Sequence, residues 1–210
     1  MATQTTRRRR SDGERSRRAI LLAAARLATV EGLDGLTIGR LAKETGMSKS
    51  GLFAHFGSKE QLQLATIDAA EEIFDDEVLR PALEVEGLAR LAALAERFLS
   101  HVQREVFPGG CFFASVAAEL DTRPGPVRDR VAGVYAAWTG LMEDAIRTAV
   151  ERGEADPAVD PPQLVFEVNA MLAEANGIYL LSGDPAVFAM ARRAIDDRLE
   201  RAQAAPSAQA

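Results

Sequence analysis

The sequence predicts an all-α protein of about nine helices, a three-helix N-terminal head followed by a larger helical body. Three observations point there. Apolar residues recur at helical spacing in almost every segment and almost nowhere alternate as in a strand. Glycine and proline cluster between the segments, in FPGG (107–110), RPGP (123–126), DPAVDPP (156–162) and SGDP (182–185). Ser11–Glu14 and Ser58–Gln61 each pair a hydroxyl N-cap with Glu or Gln three residues on, a reciprocal capping pattern.

The elements follow in order. Residues 1–10 read as a disordered basic tail holding Arg7, Arg8, Arg9 and Arg10. From the Ser11 cap a helix runs with Ile20, Leu21, Ala24, Leu27 and Ala28 on one face, and Gly32 stops it. Thr37 caps a short second helix, IGRLAKET, ended by Gly46. Ser48 caps a third, KSGLFAHF, ended by Gly57. The head therefore spans 11–57, and a connecting helix of 58–80 is expected to end before Pro81. The body, 81–204, holds further helices near 85–106, 111–121, 125–152, 161–182 and 185–204, and 205–210 reads as a second disordered tail.

Charge separates the two parts. Residues 1–66 carry a net +6 and residues 67–210 a net −12, within a total of −6. A basic first third on an acidic body fits a head that meets a polyanion. The single cysteine, Cys111, excludes an intramolecular disulfide and fits a reducing cytoplasm. No signal peptide is expected, and no apolar run reaches the roughly 18 residues that span a membrane. With two histidines, one cysteine and no glycine-rich phosphate loop, nothing in the sequence supports catalysis, a metal or a cofactor.

Thr37–Phe56 reads as two helices of about two turns each, separated by Gly46-Met47-Ser48. Ile38, Leu41 and Ala42 line one side of the first, and Met47, Leu52 and Phe56 can pack against them. Lys49, Ser50, Gly51, Phe53 and His55 then point outward. A short outward helix with small and basic residues at its N-terminus suits the major groove, and its N–H groups favour phosphate oxygens.

Residues 19–62, AILLAAARLATVEGLDGLTIGRLAKETGMSKSGLFAHFGSKEQL, resemble the DNA-binding domain of the TetR family of bacterial transcriptional regulators. The shared features are the glycine-punctuated helix-turn-helix, the His55-Phe56 pair and the Lys-Glu-x-Leu start of the fourth helix. GGCFFASVAAELDTRPGPVRDRV (109–131) is similar to a stretch in one branch of the family's ligand-binding domains. The resemblance implies that Thr37, Ser48, His55 and Lys59 lie near phosphates, with Lys49, Ser50 and Gly51 nearest the base edges. Family members usually carry Tyr where this chain has Phe53, and often a second aromatic where it has Ala54. Phe53 lacks the phenolic donor to phosphate, and Gly51 and Gly39 offer no side chain to a base, so sequence choice is expected to lean on Lys49, Arg40 and DNA shape.

For the body, two apolar stripes are candidates for a homodimer: Leu164, Val168, Met171, Leu172, Ala175 and Ile178 in 161–182, and Val187, Ala191, Ala194, Ile195 and Leu199 in 185–204. Ala170, Ala173 and Gly177 permit close helix approach. The resemblance implies a four-helix bundle across a two-fold axis, hence a palindromic double-stranded DNA operator. It also implies a cavity for an unidentified small-molecule effector. Phe98, His101, Val102, Phe112, Tyr135, Trp138, Met142 and Asn169 are the candidate lining, with Phe107, Phe113, Leu141 and Phe166 also expected to face inward. The expected function is a sequence-specific DNA-binding regulator, a repressor released by a small, largely apolar effector. The alternative is an effector-independent or partner-regulated DNA-binding protein, architectural or activating.

Overall fold

A computed structural model describes residues 2–120, 122 and 124–204. The element order is α1 (Ala2–Glu31), α2 (Ile38–Thr45), α3 (Lys49–Phe56), α4 (Lys59–Phe74), a π-helical turn (Asp75–Leu79), α5 (Arg80–Ala82), α6 (Gly87–Gln103), α7 (Phe112–Leu120), α8 (Pro126–Glu151), α9 (Pro161–Ser182) and α10 (Ala186–Glu200). Since α4, the π turn and α5 form one continuous rod, the described residues hold nine separate helices. The extended pairing among them is a single bridge, Ala155 with Gln203.

Two boundaries differ from the sequence reading. The first helix begins at Ala2, so residues 2–10 are helical and Ser11 lies inside α1 rather than at its cap. ATQTTRRRRS contains neither glycine nor proline, and arginine is a good helix former, so nothing there stops the helix. The predicted C-terminal tail, 205–210, lies outside the described residues. Pro81 also fails to end the connecting rod at residue 80. Its ring crowds the carbonyl four residues earlier, and the chain answers by widening. The preceding turn becomes π-helical, with Arg80 N–H donating to Asp75 O, and the helix continues to Ala82.

The described residues fall into two compact units. One lies within Met1–Ile73 and Phe107–Ala132, the other within Phe74–Val106 and Gly133–Ala210. The division differs from a head of 11–57 because α7 and the start of α8 belong with the head. In the first unit α1 packs on α2 and on α7, and α2 packs on α3. Its core holds Ile20, Ala24, Leu33, Leu36, Leu41, Leu52, Leu62 and Ile67, all close to fully buried. In the second unit α6 packs against the π turn, α5, α9 and α10, and α9 packs on α10.

Helix α9 is, among the described residues, the one long and apolar enough to cross a membrane by length and composition, and a third of that stretch is buried. Its apolarity has a local cause. One face fills the unit's core with Leu164, Val165, Val168 and Leu172, while another exposes Phe166, Ile178, Leu180 and Leu181.

Candidate nucleic-acid interface

The helix-turn-helix is built from caps outward. Thr37 accepts from Arg40 N–H at 3.1 Å and opens α2. Ser48 accepts from Gly51 N–H at 3.1 Å and opens α3. Both hydroxyls satisfy an amide with no intrahelical partner. A hydroxyl that accepts one N–H can still donate its own hydrogen to a phosphate oxygen. Gly46, with φ 68°, supplies the left-handed turn between them. Leu41, Ala42, Leu52 and Phe56 are buried beneath, as the spacing requires.

The outer face carries most of the expected residues. Thr37, Ser48, Lys49 and Ser50 are exposed, and Gly51 is half-buried at the N-terminal turn of α3. Phe53 is 57% exposed, which leaves a bare aromatic ring on the outer side of the helix. Lys49 leans back over α2, where Gly39 leaves room for it: a Cβ there would lie 3.7 Å from its Nζ.

Two candidate side chains, Arg40 and Lys59, and the backbone carbonyl of a third, His55, are engaged within the protein. The Arg40 guanidinium takes both carboxylate oxygens of Glu31, at 2.6–2.9 Å, and Glu44 at 2.9 Å. These bonds hold its pKa above the usual range. Lys59 donates to Asp34 O at 2.7 Å and lies 3.5 Å from the Asp34 carboxylate. The half-buried His55 gives its carbonyl to Arg17 Nη1 at 3.0 Å. Arg40 and Lys59 thus brace the α1–α2 connection, and His55 marks the braced end of α3.

Sequence reasoning missed the residues that do this bracing. Glu119 on α7 accepts from Leu33 N–H at 2.6 Å and Asp34 N–H at 2.7 Å. Gly32 must be glycine there, since its φ is +78° and a Cβ would lie 2.9 Å from the Glu119 carboxylate. The buried Gln63 donates to Leu33 O at 2.8 Å. Gly109 N–H donates to the Thr29 hydroxyl at 3.1 Å, and a Cβ at Gly109 would strike the Thr29 backbone. Arg130 at the start of α8 pairs with Asp68 and Glu71 of α4. The sequence signal for all of these is a lone polar residue some 25–90 positions from its partner, which no local pattern finds.

In the second unit, Phe98, His101 and Trp138 gather around Phe74, with ring centroids 5.5–6.4 Å from it. Phe74, the residue immediately before the π segment, was not among the sequence candidates. The Trp138 indole donates to Asn169 Oδ1 at 2.8 Å. An indole N–H only donates, which fixes the amide orientation and leaves Asn169 Nδ2 a buried donor with no acceptor. Burial pushes the His101 imidazole down to about 4, against the pull of Glu77 and with a smaller push from Arg104. Val102 and Met142 are buried in the same unit.

Other candidates are corrected. Phe112 lies in the first unit, against Phe107 and Phe113 at 6.1 and 5.2 Å. Tyr135 is 54% exposed and Phe166 69% exposed, so neither faces the core. The dimer stripes also change. Leu164, Val168, Leu172, Ala175, Val187, Ala191, Ile195 and Leu199 are buried within the protomer. The remaining members of the two stripes differ: Ile178 and Ala194 are exposed and Met171 is half-buried. The face left outward is Phe166, Ala170, Ala173, Ile178 and Leu181 on α9, with Met190 and Ala194 on α10. Part of it, Ala170 and Ile178 with Met190 and Ala194, joins Met171 and Val187 in lining an open, mainly apolar groove of about 570 Å³ between α9 and α10.

The chain matches two family models. Residues 20–66 match that of the bacterial regulatory proteins of the tetR family. Residues 87–195 match the tetracyclin repressor-like C-terminal domain, over half the chain. The chain belongs to the TetR family. It is 30% identical over 139 residues to the HTH-type transcriptional regulator LmrA of Bacillus subtilis, an alignment covering 63% of this chain and 71% of that protein. It is 42% identical over 77 residues to the HTH-type transcriptional repressor AcnR of Corynebacterium glutamicum, covering 33% of this chain and 41% of that one. A TetR transcriptional regulator from Chloroflexus aurantiacus superposes with a TM-score of 0.85 at 26% identity, covering 93% of this chain and all of that one. As a TetR-family member the chain is a DNA-binding transcriptional regulator and not an enzyme.

Proposed function

We propose that this TetR-family regulator is a repressor that binds a palindromic operator as a homodimer and is released by a small, largely apolar effector. The observation that carries the DNA reading is the N-terminus of α3. Lys49 and Ser50 stand exposed on a platform of buried Leu41, Leu52 and Phe56. Lys49, Ser50 and Gly51 reach base edges, while Thr37 and Ser48 meet phosphates. One such helix reads only a few base pairs, so a two-fold partner about 34–36 Å away is required. The outward apolar face of α9 and α10 takes that second copy, with Ala170 and Ala173 allowing close approach.

The effector binds in the second unit, at the Phe74–Phe98–Trp138 cluster. Those rings favour an apolar or aromatic body, and Asn169 Nδ2 calls for one oxygen acceptor on it. It releases DNA only by its difference in affinity between the DNA-competent state and another. The close packing of the same rings favours a second reading, in which the cluster is plain core and regulation is effector-independent. A solved AibR of the same fold, 23% identical, carries isovaleryl coenzyme A together with operator DNA. Binding of the purified protein to its own upstream DNA, against scrambled duplex at physiological salt, tests the reading. A preference of about 10³-fold or more supports sequence-specific regulation. Equal affinity for both would leave only charge and shape recognition. Compounds screened on the resulting complex then separate the two regulatory readings.

A further inference from the structure

We infer that Arg17, on α1 and outside the helix-turn-helix, is a positioning residue for sequence reading: it sets the pose of α3 rather than touching DNA itself. The inference rests on the DNA-binding reading of α3. Two independent contacts carry it. Arg17 Nη1 donates to His55 O at 3.0 Å, in the last turn of α3. Its guanidinium carbon lies 4.8 Å from the centroid of the Phe56 ring, over which it stacks. Arg17 is half-buried, and Phe56 beneath it is 6% exposed.

Helix α3 has only eight residues, too few to hold itself in water. Its N-terminus is capped from within by Ser48, which fixes the turn but not its place on the head. At the other end Gly57 N–H takes Phe53 O and Ser58 N–H takes Phe56 O. The His55 carbonyl is taken from another helix, by Arg17. A cation at that end also complements the helix dipole. Leu52 and Phe56 set the depth of α3, and the arginine fork, bonding and stacking at once, sets its rotation about its own axis. Lys49 lies about 9 Å up the axis from His55, at 1.5 Å rise per residue. A small rotation at the braced end therefore moves every base-facing group together.

Arg17→Ala and Arg17→Lys test this in the full-length protein. The probes are a duplex enriched by the wild-type protein from a random pool and a scrambled duplex of equal length, titrated at several salt concentrations well below the thermal midpoint. A positioning role predicts that Arg17→Ala lowers affinity for the enriched duplex about tenfold to a hundredfold, the worth of one base-edge contact. Affinity for the scrambled duplex and the salt slope stay near wild type. Arg17→Lys recovers only part, because lysine cannot bond and stack in one plane. Phe56→Leu gives the same loss of preference, and combining it with Arg17→Ala adds little further. Arg17 would instead be a phosphate contact if both affinities fell together, the slope shrank by roughly 0.9 and Lys restored it fully. A lower melting temperature with the duplex preference intact would make it purely structural. Either result overturns the inference. Should Arg17→Ala fail to fold, Arg17→Lys and Phe56→Leu carry the same readout. A pool from which the wild type enriches nothing removes the DNA reading itself.

Discussion

The recognition helix and α9 are fixed in place by opposite means. Helix α3 is short: Leu52 and Phe56 seat it, and polar bonds with single donors and acceptors orient it, Ser48 at its start and Arg17 at its end, with Glu119 and Lys59 bracing the loop before α2. Helix α9 is long and held mainly by apolar burial, its core face filled by Leu164, Val168 and Leu172. A polar bond has one geometry that satisfies it, so a short polar motif has few ways to fold. An apolar face can be buried against any other apolar face, so α9 could serve the protomer or a partner equally well on sequence grounds.

Adjacent residues of α9 give the largest test of this contrast. Leu172 is 1% exposed, and Ala173, about 100° further round the helix, is exposed. Leu172→Ala should destabilise the fold by about 2–5 kcal/mol in denaturant titration. Ala173→Arg should leave the monomer's stability nearly unchanged and abolish self-association in sedimentation. If Ala173→Arg unfolds the protein while Leu172→Ala only dissociates it, the two faces have been assigned the wrong way round.

The same contrast explains what could be read from the sequence. The nine-helix order, the caps at Thr37 and Ser48, and the buried Leu41, Leu52 and Phe56 were all legible, because each depends on neighbours within a few residues. The capping pattern at Ser11 misled, since a cap motif stops nothing when the residues before it also favour helix. Arg17, Glu119, Gln63 and Phe74 were invisible, because their partners are brought close only by the tertiary fold. For the same reason Leu164, Val168, Leu172 and Ala175 of α9, expected at the partner face, are buried in the protomer, while Phe166, expected inside, is exposed. Leu164 and Phe166 are equally apolar, and only the completed unit decides which of them is covered.

Acid sharpens the comparison from the side of the second unit. The folded state holds His101 at about 4 because burial disfavours its charge, with Glu77 and Arg104 nearby and opposed in sign. An ordinary histidine titrates near 6.5. Between those values the unfolded chain binds the extra proton, so stability rises with pH. The contribution is complete above about pH 6.5 and is lost as pH falls toward 4, up to about 3 kcal/mol. Urea midpoints of wild type and His101→Leu across pH 4–7 measure it. The wild type should weaken with acid more steeply than the variant, and parallel curves would mean the imidazole is not charged on unfolding in this range.

In the first unit, removing a brace should act locally. Glu119→Ala leaves Leu33 and Asp34 N–H without their shared carboxylate. A cost of about 1–3 kcal/mol follows for a half-buried site. Hydrogen exchange at those two amides should accelerate, while amides in α9 keep wild-type protection. Uniform acceleration throughout the chain would show that the brace supports the whole fold rather than one loop.

The smallest expected effect belongs to Arg40, and it decides whether that residue acts on protein or on DNA. Its guanidinium is shared between Glu31 and Glu44, so contact with a phosphate would require breaking bonds it already makes. Those bonds are partly solvated and contribute little to stability, which makes exchange of partners cheap. Arg40→Gln should leave the thermal midpoint close to wild type. If Arg40 stays with the glutamates when DNA binds, the salt slope of operator affinity is also unchanged. A slope smaller by roughly 0.9 means the guanidinium leaves Glu31 for a phosphate. Glu31→Gln would then raise affinity by freeing the cation, whereas a purely structural clamp predicts that it lowers affinity or leaves it alone. The two substitutions together distinguish a fixed brace from an ion pair that exchanges partners on DNA.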